Sequence, residues 1–306
     1  MKQVPLLQFK SLAEALVSLF GTSVAIRQTD RIAGGDINKA YAVTLNTGDK
    51  IFMKANAKEN FDFFKAEAAG LFALAQTGTL ATPKILCAGT DDGQEVGYSF
   101  LLMELIQSKK PVQDYWKIFG RELAALHQAD ASAFVSDAGA FGFFEDNYVG
   151  ATAQSNAPKK TWIDFFRENR LEPQFKAAAS NFSKEEMSRV TKLLDHLDGF
   201  LLEPKKPSLV HGDLWSGNVM AGPDGKAMLI DPAAYVGHAE ADLAMTELFG
   251  GFEPAFYQAY KEANPLEPGY EKRRDLYNLY QLLNHLNLFG KSYLGAVLSV
   301  VDEYVG

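Results

Sequence analysis

His211-Gly212-Asp213-Leu214-Trp215-Ser216-Gly217-Asn218 is the stretch on which the reading of this 306-residue chain turns. A short apolar run, Ser208 to Val210, leads into it, and a second run, Lys226 to Ile230, follows and ends at Asp231. Both runs read as strands bounded by turn residues. In phosphoryl-transfer sites an aspartate accepts the proton of the attacking hydroxyl, while an asparagine five residues on and a second aspartate hold Mg²⁺. Asp213 and Asn218 have that spacing of five, and Asp231 follows Asp213 by 18. Mg²⁺ is a hard cation that takes oxygen ligands and bridges nucleotide phosphates, which these side chains suit. Asp, Gly and Asn can also do no more than shape a turn. Three such residues at this spacing, beside strand-like segments, favour a kinase site using ATP and Mg²⁺. Asp213 is then the catalytic base, and Asn218 and Asp231 are the metal ligands.

Working outward, Lys54 ends the apolar run Ile51-Phe52-Met53. A lone strand lysine is usually a solvated edge residue. With Asp213 downstream, it becomes the lysine that touches the nucleotide phosphates and pairs with a helix glutamate. Glu67, inside the helical stretch Phe61 to Gln76, is the expected partner, and Glu59 precedes that helix. Between two strands upstream lies Ile32-Ala33-Gly34-Gly35-Asp36-Ile37-Asn38. Glycines there would let backbone N–H groups approach phosphate oxygens, so Gly34, Gly35, Asp36 and Asn38 are nucleotide-contact candidates. The stretch is neither a Walker A sequence nor the full protein-kinase glycine pattern. Met103-Glu104-Leu105-Ile106 is a strand end leading into a connector; backbone groups at Glu104 and Ile106 are candidates for holding adenine. Beyond Asp231, His238 and Asp242 open a helix. A lone histidine is usually structural, with a substrate-side place as its alternative, and Asp242 can accept backbone N–H groups of the loop that starts at His211. Trp215 either fills core or offers an aromatic face to a sugar ring beside the acceptor site.

The periodicity around these residues gives an α+β fold in two lobes. Phe9 to Phe20 has helical spacing, and strands are expected around Val24 to Ile26, Tyr41 to Leu45 and Ile51 to Ala55. Asn46-Thr47-Gly48-Asp49 reads as the hairpin turn between the last two. The helix Phe61 to Gln76, a strand from Pro83 through Leu86 and another from Tyr98 to Leu105 complete a small antiparallel sheet with one inserted helix. From Asp114 the pattern is mainly helical: Asp114 to His127, Thr161 to Phe175, Ser183 to Leu202 and Glu240 to Tyr304. Ser183-Lys184-Glu185-Glu186 is a capping-box pattern. A β-rich nucleotide-binding lobe over residues 1–106 and a helical catalytic and substrate-binding lobe over 107–306 are expected.

Composition narrows the function classes. The formal charge is −8, which argues against a general nucleic-acid-binding role. No apolar run approaches the ~18 residues of a membrane span, and Lys2, Lys10 and Glu14 spoil a signal-peptide reading. Cys87 is the only cysteine, so no intrachain disulfide can form; it reads as a small buried hydrophobe. A cytoplasmic protein is expected, with no membrane or nucleic-acid partner and a monomer as the default.

With these residues assembled, the chain resembles the fructosamine kinase family, also called ketosamine-3-kinases, within the protein-kinase-like and aminoglycoside-phosphotransferase-like fold. The resemblance runs from about Gly34 to the last helices. It rests on HGDLWSGN (His211 to Asn218), DPAAYVGHAEADLAMT (Asp231 to Thr246), FGRELAALH (Phe119 to His127), and NYVGATAQSN with TWIDFFRENRLEPQ (Asn147 to Gln174). It implies ATP-dependent phosphorylation of the 3-hydroxyl of a ketosamine, either a fructosamine or ribulosamine small molecule or a glycated protein. The 3-phosphate is unstable and releases the amine, which is deglycation. It further implies Asp213 as base, Asn218 and Asp231 as Mg²⁺ ligands, Lys54 and Glu67 as the phosphate-orienting pair, and Trp215 on the substrate side. Many members carry cysteine in the glycine loop where Asp36 stands here, so thiol control at that loop is not expected. The competing readings are a kinase of the same fold acting on an aminoglycoside or choline-type alcohol, and a non-catalytic nucleotide-binding module. Intact Asp213, Asn218, Asp231, Lys54 and Glu67 argue against the second.

Overall fold

The computed structural model describes residues 5–33, 37–93, 96–137 and 139–306. Gly34, Gly35 and Asp36 of the expected glycine loop lie outside the described residues. The chain divides into two compact units: Lys2–Gln113 with Met220–Asp231, and Asp114–Val219 with Pro232–Gly306.

The first unit contains β1 (Gln8–Phe9), α1 (Leu12–Phe20), β2 (Ile26–Ile32), β3 (Lys39–Leu45), β4 (Lys50–Ala57), α2 (Phe61–Gln76), β5 (Ile85–Asp91) and β6 (Tyr98–Glu104). They build one sheet in the order β1-β5-β6-β4-β3-β2. Its pairings are antiparallel except for β1, which runs parallel to β5. Phe9, where the helical spacing of the sequence begins, belongs to this strand. The helix instead starts at Leu12, where the Ser11 side chain accepts from the Glu14 N–H as an N-cap. Both faces of β6 are buried, because successive strand side chains point to opposite faces. Phe100 and Leu102 pack with Leu16, Val43, Leu45 and Met53, while Leu101 and Met103 pack with Phe64, Ala68 and Leu71 of α2. The same alternation in β4 sends Met53 to the first cluster and so turns Lys54 to the α2 face. Cys87 is fully buried in the first cluster, where burial pushes its thiol up to about 12.

The hairpin Val219–Ala221 with Ala227–Leu229 ties back to this unit. Leu229 N–H donates to the Ala81 carbonyl (2.9 Å), Val112 N–H to Gly225 (3.1 Å) and Lys109 N–H to Gly222 (3.4 Å). These bonds explain why the segment ending at Asp231 groups with the N-terminal residues, far away in sequence.

The second unit is helical with small sheets: α3 (Tyr115–Gln128), β7 (Asn147–Val149), β8 (Thr152–Gln154), α4 (Trp162–Phe166), α5 (Glu172–Ala178), α6 (Lys184–Asp195) and β9 (Ser208–Val210). After β10 and β11, the hairpin strands just named, come β12 (Tyr235–Gly237), α7 (Ala239–Leu248), α8 (Pro254–Ala263), α9 (Tyr270–Phe289) and α10 (Leu294–Val305). The capping box at Ser183 and Glu186 is formed at the start of α6. The single helix expected over Thr161 to Phe175 is interrupted by a π-helical turn, Arg167–Leu171, joining α4 to α5. β12 pairs antiparallel with β9, matching Tyr235 to Val210, and so anchors both the entry to His211 and the exit from Asp231. Trp162, fully buried, stacks parallel to Tyr235 at 6.5 Å beneath this ladder. No helix among the described residues is long and apolar enough to cross a membrane.

Candidate active site

In the first unit, the lysine strand, α2 and the end of the hairpin meet in one ion cluster. Lys54 Nζ lies 2.7 Å from Glu67 Oε1 and 2.5 Å from Asp231 Oδ1. Burial disfavours the charged lysine, but the two carboxylates outweigh it, so Lys54 stays protonated with its pKa raised. Glu67 is pushed up to about 7: burial is the largest cause, Asp231 adds to it, and Lys54 opposes it. Asp231 is more open, its side chain 44% exposed. Its backbone has φ +54°, a left-handed conformation uncommon for a non-glycine residue and typical of functional turns. One lysine thus holds two carboxylates, one buried and one turned partly to solvent.

In the second unit, the loop after β9 is fixed by its own backbone. Asp242, 1% exposed at the start of α7, accepts the His211 N–H (2.6 Å) and Gly212 N–H (2.8 Å) on separate carboxylate oxygens. His127 Nε2 is 3.2 Å from Asp242, and His127 Nδ1 is 2.7 Å from the Tyr260 hydroxyl. Gly212 has φ +82°, and a Cβ there would stand 2.2 Å from the Ala233 carbonyl oxygen, so only glycine fits. Gln281 on α9 donates to the Gly212 carbonyl at 2.9 Å. Asn218 is buried, and its Nδ2 donates both to the Asp213 carbonyl (2.8 Å) and to Asp213 Oδ2 (3.0 Å). With the amide nitrogen committed to Asp213, the amide oxygen is the Asn218 atom suited to a cation. Trp215 is 38% exposed, and its ring lies over Gly217, where an added Cβ would meet the indole at 2.3 Å.

Further residues clamp this loop from behind. Asn147 donates to Ala234 O (2.7 Å) and Gln154 to Ala233 O (3.2 Å), while Ala233 N–H donates to His211 O (2.9 Å). Asn156 and Gln154 converge on Asn147 Oδ1, Arg170 of the π turn donates to Asn156 Oδ1 (2.7 Å), and Tyr280 donates to Gln154 Oε1 (2.6 Å). The Arg170 guanidinium sits 4.1 Å over the Tyr235 ring. Sequence reading valued Asn147 to Gln174 for its family signature and missed this role. A run of Asn and Gln among apolar letters was the signal available. Gln281 gave only the weak signal of a polar residue on a buried helix face.

The remaining candidates fall elsewhere. Asn38 accepts from Asn56 Nδ2 of β4 at 2.7 Å. The Glu104 side chain accepts the Lys84 N–H at 2.9 Å, bracing the end of β6, and Ile106 is half-buried just beyond. His238 is buried, and its Nδ1 caps α7 by accepting the Glu240 N–H at 3.1 Å. Burial, with Arg273 and His127 nearby, pulls it down to about 3. Among the described residues no group of three or more His, Cys, Asp or Glu is arranged to hold a metal. The Asn218 amide oxygen and the Asp231 carboxylate are each oxygen donors of the kind that Mg²⁺ takes alongside waters and substrate phosphates.

The fructosamine kinase family model matches residues 8–306. The chain belongs to the fructosamine kinase family. A protein named "Probable ketoamine kinase" from Synechocystis is 41% identical over 93% of this chain and 92% of its own length. A chloroplastic protein-ribulosamine 3-kinase of Oryza sativa subsp. indica is 36% identical over 93% of this chain and 81% of its own. A crystal structure assigned as a fructosamine-3-kinase from Haemophilus somnus 129PT superposes with a TM-score of 0.84 at 30% identity, covering 97% of each chain. The α+β, protein-kinase-like fold of this family member follows from that likeness, and its HGDLWSGN loop is the one described above.

Proposed function

We propose that the protein transfers the γ-phosphoryl group of ATP to the 3-hydroxyl of a ketosamine. Membership of the fructosamine kinase family carries the reaction class. The single geometric observation behind the residue roles is the Asp213–Asn218 loop, held on Asp242. In this reading the Asp213 carboxylate takes the proton of the 3-hydroxyl as its oxygen bonds to phosphorus, and ADP departs. Asn218 fixes one oxygen of that carboxylate, which sets the direction in which it accepts the proton. His211 and Asp242 orient the loop. Lys54, steadied by Glu67, touches the nucleotide phosphates, and Asn38, Glu104, Ile106 and the Gly34-Gly35-Asp36 stretch border the nucleotide in the N-terminal unit. Asn218 and Asp231 would each offer an oxygen to Mg²⁺, which would supply charge neutralisation to the transferring phosphates. Trp215 faces the sugar. His238, buried as a helix cap, supports the substrate side only indirectly.

The 3-phosphate then breaks down without further catalysis and frees the amine. Ribulosamines on protein are acceptors of the kind that the rice relative's name states, and a cytoplasmic location accords with the single buried cysteine.

The test is direct. With Mg²⁺ and ATP, purified protein forms ADP when given a fructosyl- or ribulosyl-amine, and Asp213→Asn lowers kcat by about 10²–10⁴-fold while nucleotide still binds. A near-normal kcat in that variant refutes the role of Asp213. Turnover of aminoglycosides and of no ketosamine refutes the substrate.

A further inference from the structure

Near the end of β4, Asn56 joins segments that the sheet ladder alone does not connect. It stands two residues after Lys54, on the same face of the strand. Lys39 pairs with Ala55 at the start of β3, so Asn38 comes opposite Asn56. Asn56 Oδ1 accepts the Ala57 N–H (2.7 Å) and Asn60 Nδ2 (2.9 Å). Asn56 Nδ2 donates to Asn38 Oδ1 (2.7 Å) and, at longer range, to the Ile37 carbonyl (3.4 Å). Asn60 directly precedes α2, a place where asparagine commonly caps the helix with its side chain. Here it makes no cap bond and gives its amide to Asn56 instead. The anchor is itself held: buried Ser99 of β6 pairs with Asn56 and donates its hydroxyl to the Ala57 carbonyl at 2.8 Å. One side chain thus links the helix that carries Glu67 to the two residues that follow Gly34-Gly35-Asp36 in sequence.

The polarity of these bonds is fixed by the backbone. A main-chain N–H only donates and a carbonyl only accepts, so Ala57 sets Asn56 Oδ1 as the acceptor and Ile37 sets Asn56 Nδ2 as the donor. Asn38 must then turn its oxygen towards Asn56 and its NH₂ away. The two ends of an amide are nearly the same shape, and the hydrogen-bond partner decides which one faces outward. We infer that Asn56 is a positioning residue for ATP: by binding Asn38 Oδ1 it holds the Asn38 NH₂ as a donor for a phosphate oxygen of the nucleotide. The inference rests on the reading of Asn38 as a nucleotide contact given above. A phosphate offers only acceptors at neutral pH, so an outward oxygen at Asn38 repels it where an outward NH₂ binds it.

The experiment measures the Kd of Mg²⁺-ATP by titration calorimetry, which needs no acceptor substrate. Asn56→Asp keeps the size but offers only acceptors, so Asn38 turns its NH₂ inward and its oxygen outward. Kd is expected to rise about tenfold, the worth of one hydrogen bond to a charged group. Asn38→Ala is expected to raise it by a similar factor. In the Asn38→Ala background, Asn56→Asp is expected to change Kd by less than about twofold, because no amide is left to turn. A purely structural role for Asn56 is not silenced in that way. A wild-type Kd in Asn56→Asp overturns the inference and leaves the kinase reading standing. An equal rise in both backgrounds also overturns it, since that marks a direct effect of the added charge. Asn38→Asp keeps an acceptor for Asn56 but has no NH₂, and it decides the matter if Asn56→Asp does not fold: a wild-type Kd there overturns the inference. Failure of wild-type protein to bind Mg²⁺-ATP overturns the nucleotide reading as well.

Discussion

Replacing Asp242 by Asn separates the loop-holding role of this residue from simple packing, because the two side chains have nearly the same shape. In the native protein, separate oxygens of Asp242 accept the His211 and Gly212 N–H groups at 2.6 and 2.8 Å. Asn offers one oxygen and one NH₂, so in either orientation one buried backbone N–H faces a donor. Leaving a buried N–H without an acceptor costs about 1–3 kcal/mol. The surviving bond loses its charge assistance, about another 1 kcal/mol. The sum is about 2–4 kcal/mol, a large share of the roughly 5–15 kcal/mol by which folded proteins are stable. The stressed bonds also set the backbone two residues before Asp213 (His211) and one residue before it (Gly212). Part of the cost therefore appears at the transition state, and kcat is expected to fall by about 10- to 100-fold. Urea unfolding read by fluorescence gives the stability change, and ADP release at saturating ketosamine gives kcat. A stability loss below about 0.5 kcal/mol together with kcat within about twofold of wild type would show that Asp242 does not hold the loop.

Three other outcomes follow from the same geometry. Lys54→Met leaves Glu67 and Asp231 without their cation; the full cost of breaking a buried pair is about 3–5 kcal/mol, reduced here because Asp231 is partly solvated, so a lower Tm and a raised KM for ATP are expected, and finding neither would count against the cluster. His238 has its pKa lowered to about 3 from 6.5, so below pH 6.5 the unfolded chain takes up a proton that the folded one refuses, and stability falls as pH drops towards 3. Between pH 7 and 4.5 wild type should lose about 2–3 kcal/mol more than His238→Asn, which keeps a capping oxygen; parallel pH–stability curves for the two proteins would contradict this. Gly217→Ala pushes the Trp215 ring off the loop, and should change its fluorescence and lower kcat/KM for ketosamines with little loss of stability; unchanged kinetics would remove Trp215 from the substrate side.

Much of this protein is written locally in its sequence. The helix Phe61–Gln76, the strand Ser208–Val210, the cap at Ser183 and the hairpin turn after Leu45 depend on periodicity or turn chemistry within a few residues, and each stands as its letters suggest. The pairing of Lys54 with Glu67 was legible too, because strand alternation and one helix set both directions. The three-residue strands β7 and β8 were not: unlike Ser208–Val210 they form no apolar run, and a period of two cannot show itself in so short a stretch. Nor could β1 announce a parallel pairing with β5, whose partners Gln8 with Ala88 and Phe9 with Gly89 stand 80 positions apart in sequence. The tertiary structure alone brings Asp231 onto Lys54, 177 residues away in sequence, by tying its hairpin to Ala81 and Val112. It alone gives Gln281, Asn147, Gln154 and Arg170 their work: buried polar groups must find partners wherever the fold offers them. The motif His211 to Asn218 specified which side chains the loop carries; long-range hydrogen bonds decided how its backbone is held.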